Sequence, residues 1–368
     1  MFTEEHLYAI ALRRCALVGD INFHRLVRTA GSAAAVWSLP KRELAKAFGV
    51  GSKTLTEIGT KEPLEFAEKE IRFCEKNSIS ILLRHFPQYP PLLNETDDAP
   101  AIVYAKGNLD FSRKSLSIVG TRNITAYGKK FLEELFEELP SHNLASVSGL
   151  ALGVDTAVHE FSLKHQIPTI AVLAHGFQTI YPSKNKALAH SILEQGGTLL
   201  TEFNSSQKPD RENFIQRNRI IAALSEATIV VETAFGGGSV STVTFANNYN
   251  REVYALPGKI TDKYSQGCNQ LIAQLKARTI STVSGLIEEL NLQCEPKTGI
   301  LFPRSEIKLL LSDDQQLVFK ILEEHALLSL DELSEKTDLP SQKLLAILLQ
   351  LELEGYIKTH SGKQYSLN

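Results

Sequence analysis

The chain has 368 residues, 43% of them hydrophobic and 22% charged, and a formal net charge of −3. That length suits two or three globular domains, and the slightly acidic balance excludes a protein coated in positive charge, so any site for a polyanion is local. Four scattered cysteines, Cys15, Cys74, Cys268 and Cys294, form no C-x-x-C pair, which argues against a zinc site or a disulfide framework and suits a reducing cytosol.

In chain order, MFTEEHLYAI carries acids where a signal peptide needs bases, and no apolar run approaches about 18 residues, so neither a leader nor a membrane span is expected. Residues 1–76 show apolar spacing of helical period, in Leu7-Ile10-Ala11 and again in Phe66-Ile71-Phe73. Val18-Gly19-Asp20 and Val50-Gly51-Ser52 punctuate that pattern, and such turns resemble helix-hairpin-helix modules or simply a small packed bundle. Across residues 77–294, apolar β-rich runs alternate with amphipathic helices. Strands are expected at 80–83, 116–119, 145–147, 169–173, 198–201, 228–231, 252–255 and 279–282, with the proline-rich 86–107 as a looped lead-in. The alternation predicts an α/β fold, an extended Rossmann-like parallel sheet core with helices on both faces. Residues 295–312 read as a linker, and 313–368 as three short helices followed by a hairpin around Gly362, the order of a winged-helix domain.

In an open parallel sheet, ligands lie beyond the carboxyl ends of the strands. Those ends lead here into Gly120-Thr121-Arg122, Ser148-Gly149 with Gly153 and Asp155, His175-Gly176 with Tyr181-Pro182-Ser183-Lys184-Asn185-Lys186, Glu202 with Phe214-Ile215-Gln216-Arg217-Asn218-Arg219, and Glu232 with Gly236-Gly237-Gly238-Ser239. Gly149, Gly153 and Gly236–Gly238 precede helices, where backbone N–H groups and the helix dipole favour an anion. Arg122, Lys184, Lys186, Arg217 and Arg219 are expected to converge on one sheet edge as phosphate partners, with Asn185 and Asn218 as hydrogen-bonding groups and Phe177, Tyr181 and Phe214 as stacking faces. Each element also has a plainer reading: a turn glycine, a helix first-turn Asp155, a core Phe214, and surface or core His159 and His165. The sequence has no G-x-x-x-x-G-K-[ST]. The position about twenty residues after the first turn, where a dinucleotide fold places an acid, holds Ser141-His142-Asn143. No Ser-His-Asp or Cys-His arrangement stands out.

Taken together, IVGTR with Tyr127-Gly128, SVSGLALGVDTAVHEFSL, TIAVLAHGFQTIYPSKNKALA, TEF, FIQRNRIIAALSEATIVVETAFGGGSVSTVTFA, REVYALPGKI and GCNQLI closely resemble the DNA-processing protein A family (DprA, also called Smf) over about residues 80–290. The resemblance implies a single-stranded DNA-binding, homodimeric and non-enzymatic protein with no cofactor. Such proteins protect incoming strands and help load the RecA recombinase in natural transformation. It implies DNA contacts at Gly120, Arg122, Ser148, Gly149, Tyr181, Lys184, Lys186, Phe214, Arg217, Asn218 and Arg219. The sequence departs from the usual family pattern at Thr121 (serine), Leu152 (arginine or similar) and Ile215 (proline), and Gly-Gly-Gly-Ser-Val stands where Ser-Gly-Ser-Leu is common.

The residues also allow two other readings. Phe235-Gly236-Gly237-Gly238-Ser239 is reminiscent of the lysine-decarboxylase-like nucleoside-monophosphate phosphoribohydrolases, but 240–246 contains no acid, which leaves Glu202 and Glu232 as stand-ins. The third is an interaction hub that recruits partners through the winged helix, whose bases Lys336, Lys343, Lys358 and Lys363 are sparse for duplex binding.

Overall fold

The computed structural model describes residues 2–48, 57–139, 144–292, 312–325, 327–353, 356–360 and 364–367. The expected turn at Gly51, most of the 295–312 linker, Cys294, Ser141-His142-Asn143 and the Gly362 turn lie outside them. The chain divides into two compact units, Met1–Leu292 and Gln293–Asn368.

The first unit opens with helices α1 (Glu4–Arg14), α2 (Asp20–Ala30), α3 (Ala33–Ser38), α4 (Lys41–Phe48) and α5 (Lys61–Lys76). Local signals set their ends. Thr3 and His6 form a capping box at α1, the Ser32 hydroxyl accepts the Ala35 N–H at α3, and Gly31 closes α2 at φ 92°. Phe23, Leu26, Val36 and Ala67 join Ile81, Leu83, Ile102 and Tyr104 of the sheet in one apolar cluster, so these helices bury their apolar faces against the sheet edge.

The sheet follows as β1 (Ser80–Leu83), α6 (Pro91–Asn94), β2 (Ile102–Gly107), β3 (Lys114–Val119), α7 (Ala126–Glu138), β4 (Leu144–Ser148), α8 (Val154–Lys164), β5 (Thr169–Val172), α9 (Lys186–Glu194), β6 (Thr198–Thr201), α10 (Arg211–Ala223), β7 (Ala227–Val230), α11 (Ser239–Asn248), β8 (Glu252–Ala255), α12 (Gln266–Ala273), β9 (Arg278–Thr279) and α13 (Val283–Glu289). Strand order is β1-β2-β6-β5-β4-β3-β7-β8-β9. From β6 to β9 every pairing is parallel, as βα alternation requires. One side buries Val119, Val147 and Val172 against Ile220 of α10, Val243 of α11 and Leu271 of α12. The other buries Leu116, Ile118 and Ile229 against Leu132 of α7, Val158 of α8 and Leu286 of α13.

The lead-in expectation is corrected at β2. Residues 102–107 are not loop but a strand, antiparallel to β1 (Ile81↔Tyr104) and to β6 (Ala105↔Leu200), so the sheet carries an antiparallel edge. The prolines end at Pro100, and Ile102–Ala105 are buried in succession. A strand covered on both faces shows no alternation to mark it.

The second unit contains α14 (Asp313–Glu324), β10 (Leu328–Ser329), α15 (Leu330–Thr337), α16 (Ser341–Leu353), β11 (Ile357–His360) and β12 (Gln364–Leu367), with strand order β10-β12-β11. Val318, Leu322, Leu333, Leu344, Leu348 and Tyr365 form its core. This is a winged helix, with the two-residue β10 added to the expected hairpin.

Candidate nucleic-acid interface

Beyond the carboxyl ends of β3 and β7 lies a cleft of about 880 Å³. Gly120-Thr121-Arg122 line one wall, Arg211, Phe214, Arg217 and Asn218 of α10 another, and Gly236–Thr242 at the start of α11 a third, with Tyr181 at the side.

The turn after β3 is fixed by backbone bonds. The Thr121 N–H donates to the Glu232 carbonyl at 2.7 Å, and the Val154 N–H donates to the Thr121 carbonyl at 3.0 Å. Four residues after Thr121, the Glu232 carboxylate accepts the Thr125 N–H at 2.8 Å and the Thr125 hydroxyl, at the N-terminus of α7. Held between these anchors, Arg122 is exposed. Its guanidinium carbon stands 5.4 Å from the centre of the Phe214 ring, and it makes no ion pair among the described residues.

Phe214 is half-buried and sits in a cationic and aromatic surround: Arg217 at 5.7 Å and the Tyr181 ring at 5.8 Å and 67°. Cation–π attraction of this kind contributes about 0.5–2 kcal/mol and rises with desolvation. Tyr181 is 47% exposed. Its N–H donates to His175 Nε2 at 3.1 Å, and His175 Nδ1 faces the Gly176 carbonyl at 2.9 Å, so the imidazole is a neutral structural group whose pKa burial lowers.

Arg217 differs from the sequence expectation. It is 3% exposed and donates through Nη1 to the Gly149 carbonyl at 2.6 Å and to the Val172 carbonyl, tying the ends of β4 and β5 together. Desolvation pulls its pKa down to about 10, opposed by Asp155, so it remains a cation at neutral pH. Burial raises Asp155 in turn, while Arg217 and the Ala151 N–H at 3.2 Å pull the other way. Beneath them His159 is pushed down to about 3, by burial and then by Arg217.

This buried cation explains Gly149, and a close backbone approach explains Gly153. A Cβ at Gly149 would stand 2.6 Å from the Arg217 guanidinium carbon. At Gly153, with φ +82°, it would stand 2.5 Å from the Arg122 carbonyl. Gly149 therefore leaves room for an arginine rather than opening a cradle for an anion. Ser148 is buried as well, its hydroxyl donating to the Ile118 carbonyl at 2.7 Å.

The expected convergence of five cations is corrected. Arg122 and Arg217 reach the cleft, Arg217 only from beneath. Lys184 and Lys186 are exposed, at a short 3-10 turn and at the start of α9, outside the cleft lining. Arg219, 7% exposed, points away: Nη2 lies 2.5 Å from Glu202 Oε2 and 3.8 Å from Asp20, and Nη1 donates to the Asp98 carbonyl. One step along a helix turns the side chain by about 100°, so Arg217, Asn218 and Arg219 cannot share one face.

Among the amides, Asn185 is committed to the Leu150 carbonyl at 2.8 Å and the Thr156 hydroxyl at 2.9 Å. Asn218 lines the cleft but spends its amide on Ser241 Oγ at 2.9 Å and the Gly238 carbonyl at 3.3 Å, bracing the glycine segment. Phe177 packs into the apolar clusters. Arg211, exposed at the first position of α10, lines the cleft and was not singled out from sequence. Its signal was the Asp210 cap, which accepts the Glu212 N–H at 2.9 Å and aims the first turn at the cleft. Among the described residues, no group of acids, histidines and cysteines is arranged to hold a metal, and no helix is long and apolar enough to cross a membrane.

Comparison with known proteins agrees with this architecture. The family model described as DNA recombination-mediator protein A matches residues 80–291, and that of the DprA winged helix domain matches 303–363. Protein Smf of Escherichia coli (strain K12) is 32% identical over 307 residues, which cover 82% of this chain and 80% of its own. The DNA processing protein DprA of Bacillus subtilis (strain 168) is 42% identical over 205 residues, 55% of this chain and 68% of its own. Among solved structures, DNA processing protein A of Streptococcus pneumoniae superposes with a TM-score of 0.68 at 29% identity, over 78% of this chain and 98% of that one. The Helicobacter pylori protein, whose structure is described for its single-stranded DNA binding mode, gives 0.53 at 28% identity over 58% and 95%. With more than half its length under the first of these family models, the chain belongs to the DNA recombination-mediator protein A family, DprA or Smf.

Proposed function

We propose that the cleft binds single-stranded DNA, with Arg122 as its principal phosphate clamp. The observation that carries this reading is an exposed guanidinium without an ion pair among the described residues, held over an aromatic ring at the mouth of a cleft beyond the sheet's carboxyl edge. Arg211 supplies a second cation, and Tyr181 and the Phe214–Arg122 pair offer flat faces. Lys184 and Lys186 extend the path outside the cleft. An unpaired base can reach those faces and a paired base cannot, which favours single strands. Arg217, Asn218, Ser148 and Gly149 support the cleft from below.

The wider role follows the family: protection of incoming single strands and assistance in loading RecA during natural transformation, by a cytoplasmic homodimer. A non-enzymatic reading is supported by the placement of the two candidate acids. Glu232 is spent on Thr125, and Glu202 on Arg219 and on Gln216 at 3.1 Å, and neither lines the cleft. In the winged helix Lys343 is bound to Asp314 at 2.5 Å, which further thins the cations available to duplex DNA. The test is fluorescence anisotropy of labelled oligo-dT, alone and annealed to its complement, at two salt concentrations. Salt-sensitive binding of the single strand with much weaker duplex binding supports the cleft, and equal binding of both forms contradicts it.

A further inference from the structure

The cation that turned away from the cleft has a different use. Arg219 lies one residue beyond Asn218 on α10, so any shift of its seat moves the cleft wall carrying Phe214 and Asn218. Its partners come from three directions. Glu202 follows β6, Asp98 precedes β2, and Asp20 begins α2. The Asp20 carboxylate also accepts Arg13 Nε of α1 at 3.0 Å and the Ala101 N–H at 3.0 Å. The Asp98 carboxylate accepts the Tyr249 hydroxyl at 2.7 Å, and Tyr249 caps the far end of α11. The two helices that frame the cleft, α10 and α11, are thus tied on their rear sides to one polar node, and that node is closed by α1 and α2. None of Asp20, Glu202, Asp98 or Arg219 lines the cleft.

We infer that Asp20 and Arg219 are positioning residues for the DNA cleft: the α1–α2 pair, through the Asp20 carboxylate and the Arg219 guanidinium, fixes the seat of α10 and so the placing of Phe214 under Arg122. This rests on the single-stranded DNA reading of the cleft and adds a role for the N-terminal helices, which tune affinity without touching the strand. The Asp20 side chain is only 15% exposed and that of Arg219 8%, so the node is shielded from the ionic screening that weakens surface pairs. Its members have geometric demands that a near-isosteric replacement does not meet. Asparagine at 20 loses the charge, and lysine at 219 cannot span Glu202 and the Asp98 carbonyl together.

The experiment measures oligo-dT affinity by anisotropy across a salt series for the full-length wild type, Arg122→Ala, Asp20→Asn and Arg219→Lys, with hydrogen exchange of the α10 amides in each. A lost phosphate contact lowers the slope of log K against log salt by about 0.7, whereas a displaced helix lowers affinity at unchanged slope. Expected are a roughly 3- to 30-fold weakening for Asp20→Asn and Arg219→Lys at wild-type slope, with faster exchange in α10, beside a weakened Arg122→Ala of reduced slope. Wild-type affinity in both node variants, with Arg122→Ala weakened, overturns the coupling alone. A slope reduced by about 0.7 in Arg219→Lys overturns it too, by making Arg219 a phosphate contact. Unchanged affinity in Arg122→Ala overturns the cleft reading and the coupling together.

Discussion

The guanidinium of Arg122 lies 5.4 Å from the centre of the Phe214 ring. Both residues line the cleft, one from the turn after β3 and the other from the first turn of α10, so the pair bridges two of its walls. On the proposed reading, a strand entering the cleft would meet a cation already oriented by an aromatic face. Phe214→Ala removes both the ring and the support of Arg122, and oligo-dT affinity should fall by about 1–3 kcal/mol. Phe214→Tyr, which keeps the ring, should bind within a few-fold of wild type. Loss of affinity in both would place the ring's role in packing instead.

Arg217 is a structural cation. Arg217→Ala strands the carbonyls of Gly149 and Val172 and leaves Asp155 buried without its opposing charge. Leaving a buried acceptor unsatisfied typically costs about 1–3 kcal/mol. Urea unfolding should show that loss. An Arg217→Ala protein of wild-type stability and reduced DNA binding would return Arg217 to the list of direct contacts.

Gly153→Ala tests the turn that holds Arg122. Its φ of +82° and the 2.5 Å approach of a Cβ to the Arg122 carbonyl make any side chain there strained. A stability loss of about 1–3 kcal/mol is expected from the backbone conformation, together with weaker DNA binding because the Arg122 carbonyl must move. Thermal unfolding and anisotropy on one preparation check both.

The Glu202 carboxyl is pushed up to about 6 by burial, against the pull of Arg219. The upward direction governs, because the side chain is 3% exposed and Oε1 has no hydrogen-bond partner among the described residues. A folded-state value above the unfolded one of about 4.3 means that the protonated carboxyl is the favoured buried form. Its contribution is fully present below about pH 4.3 and is lost as pH rises through about 6. Glu202→Gln imitates the protonated form. Its stability relative to wild type should therefore grow between about pH 4.5 and 6.5, by up to about 2 kcal/mol. A wild type that gains on Glu202→Gln over that interval would show the ion pair prevailing over desolvation.

Much of this architecture was legible because periodicity and turn chemistry report on local structure. The strands 80–83, 198–201 and 252–255 are found where the apolar runs place them. Arg122 could be singled out because an arginine replaces the second glycine of a phosphate turn. What escaped depended on three dimensions. Strand β2 is buried on both faces and carries no alternation. Arg217, Asn218 and Arg219 are adjacent in sequence yet separated by about 100° per step, so a basic cluster in one dimension becomes a buried brace, an amide prop and an ion-pair node. Gly149 reads as an anion cradle until the guanidinium that fills its space is seen. Arg211 carried too weak a local signal, a lone base after a capping aspartate.

The most direct test of the central claim is oligo-dT affinity for wild type and Arg122→Ala, with circular dichroism confirming that both are folded. Arg122→Ala should bind about 1–3 kcal/mol more weakly, with a salt slope lower by about 0.7, while wild type prefers the single strand to the duplex. A folded Arg122→Ala protein with wild-type affinity and slope would contradict the claim that this cleft is where the strand is held.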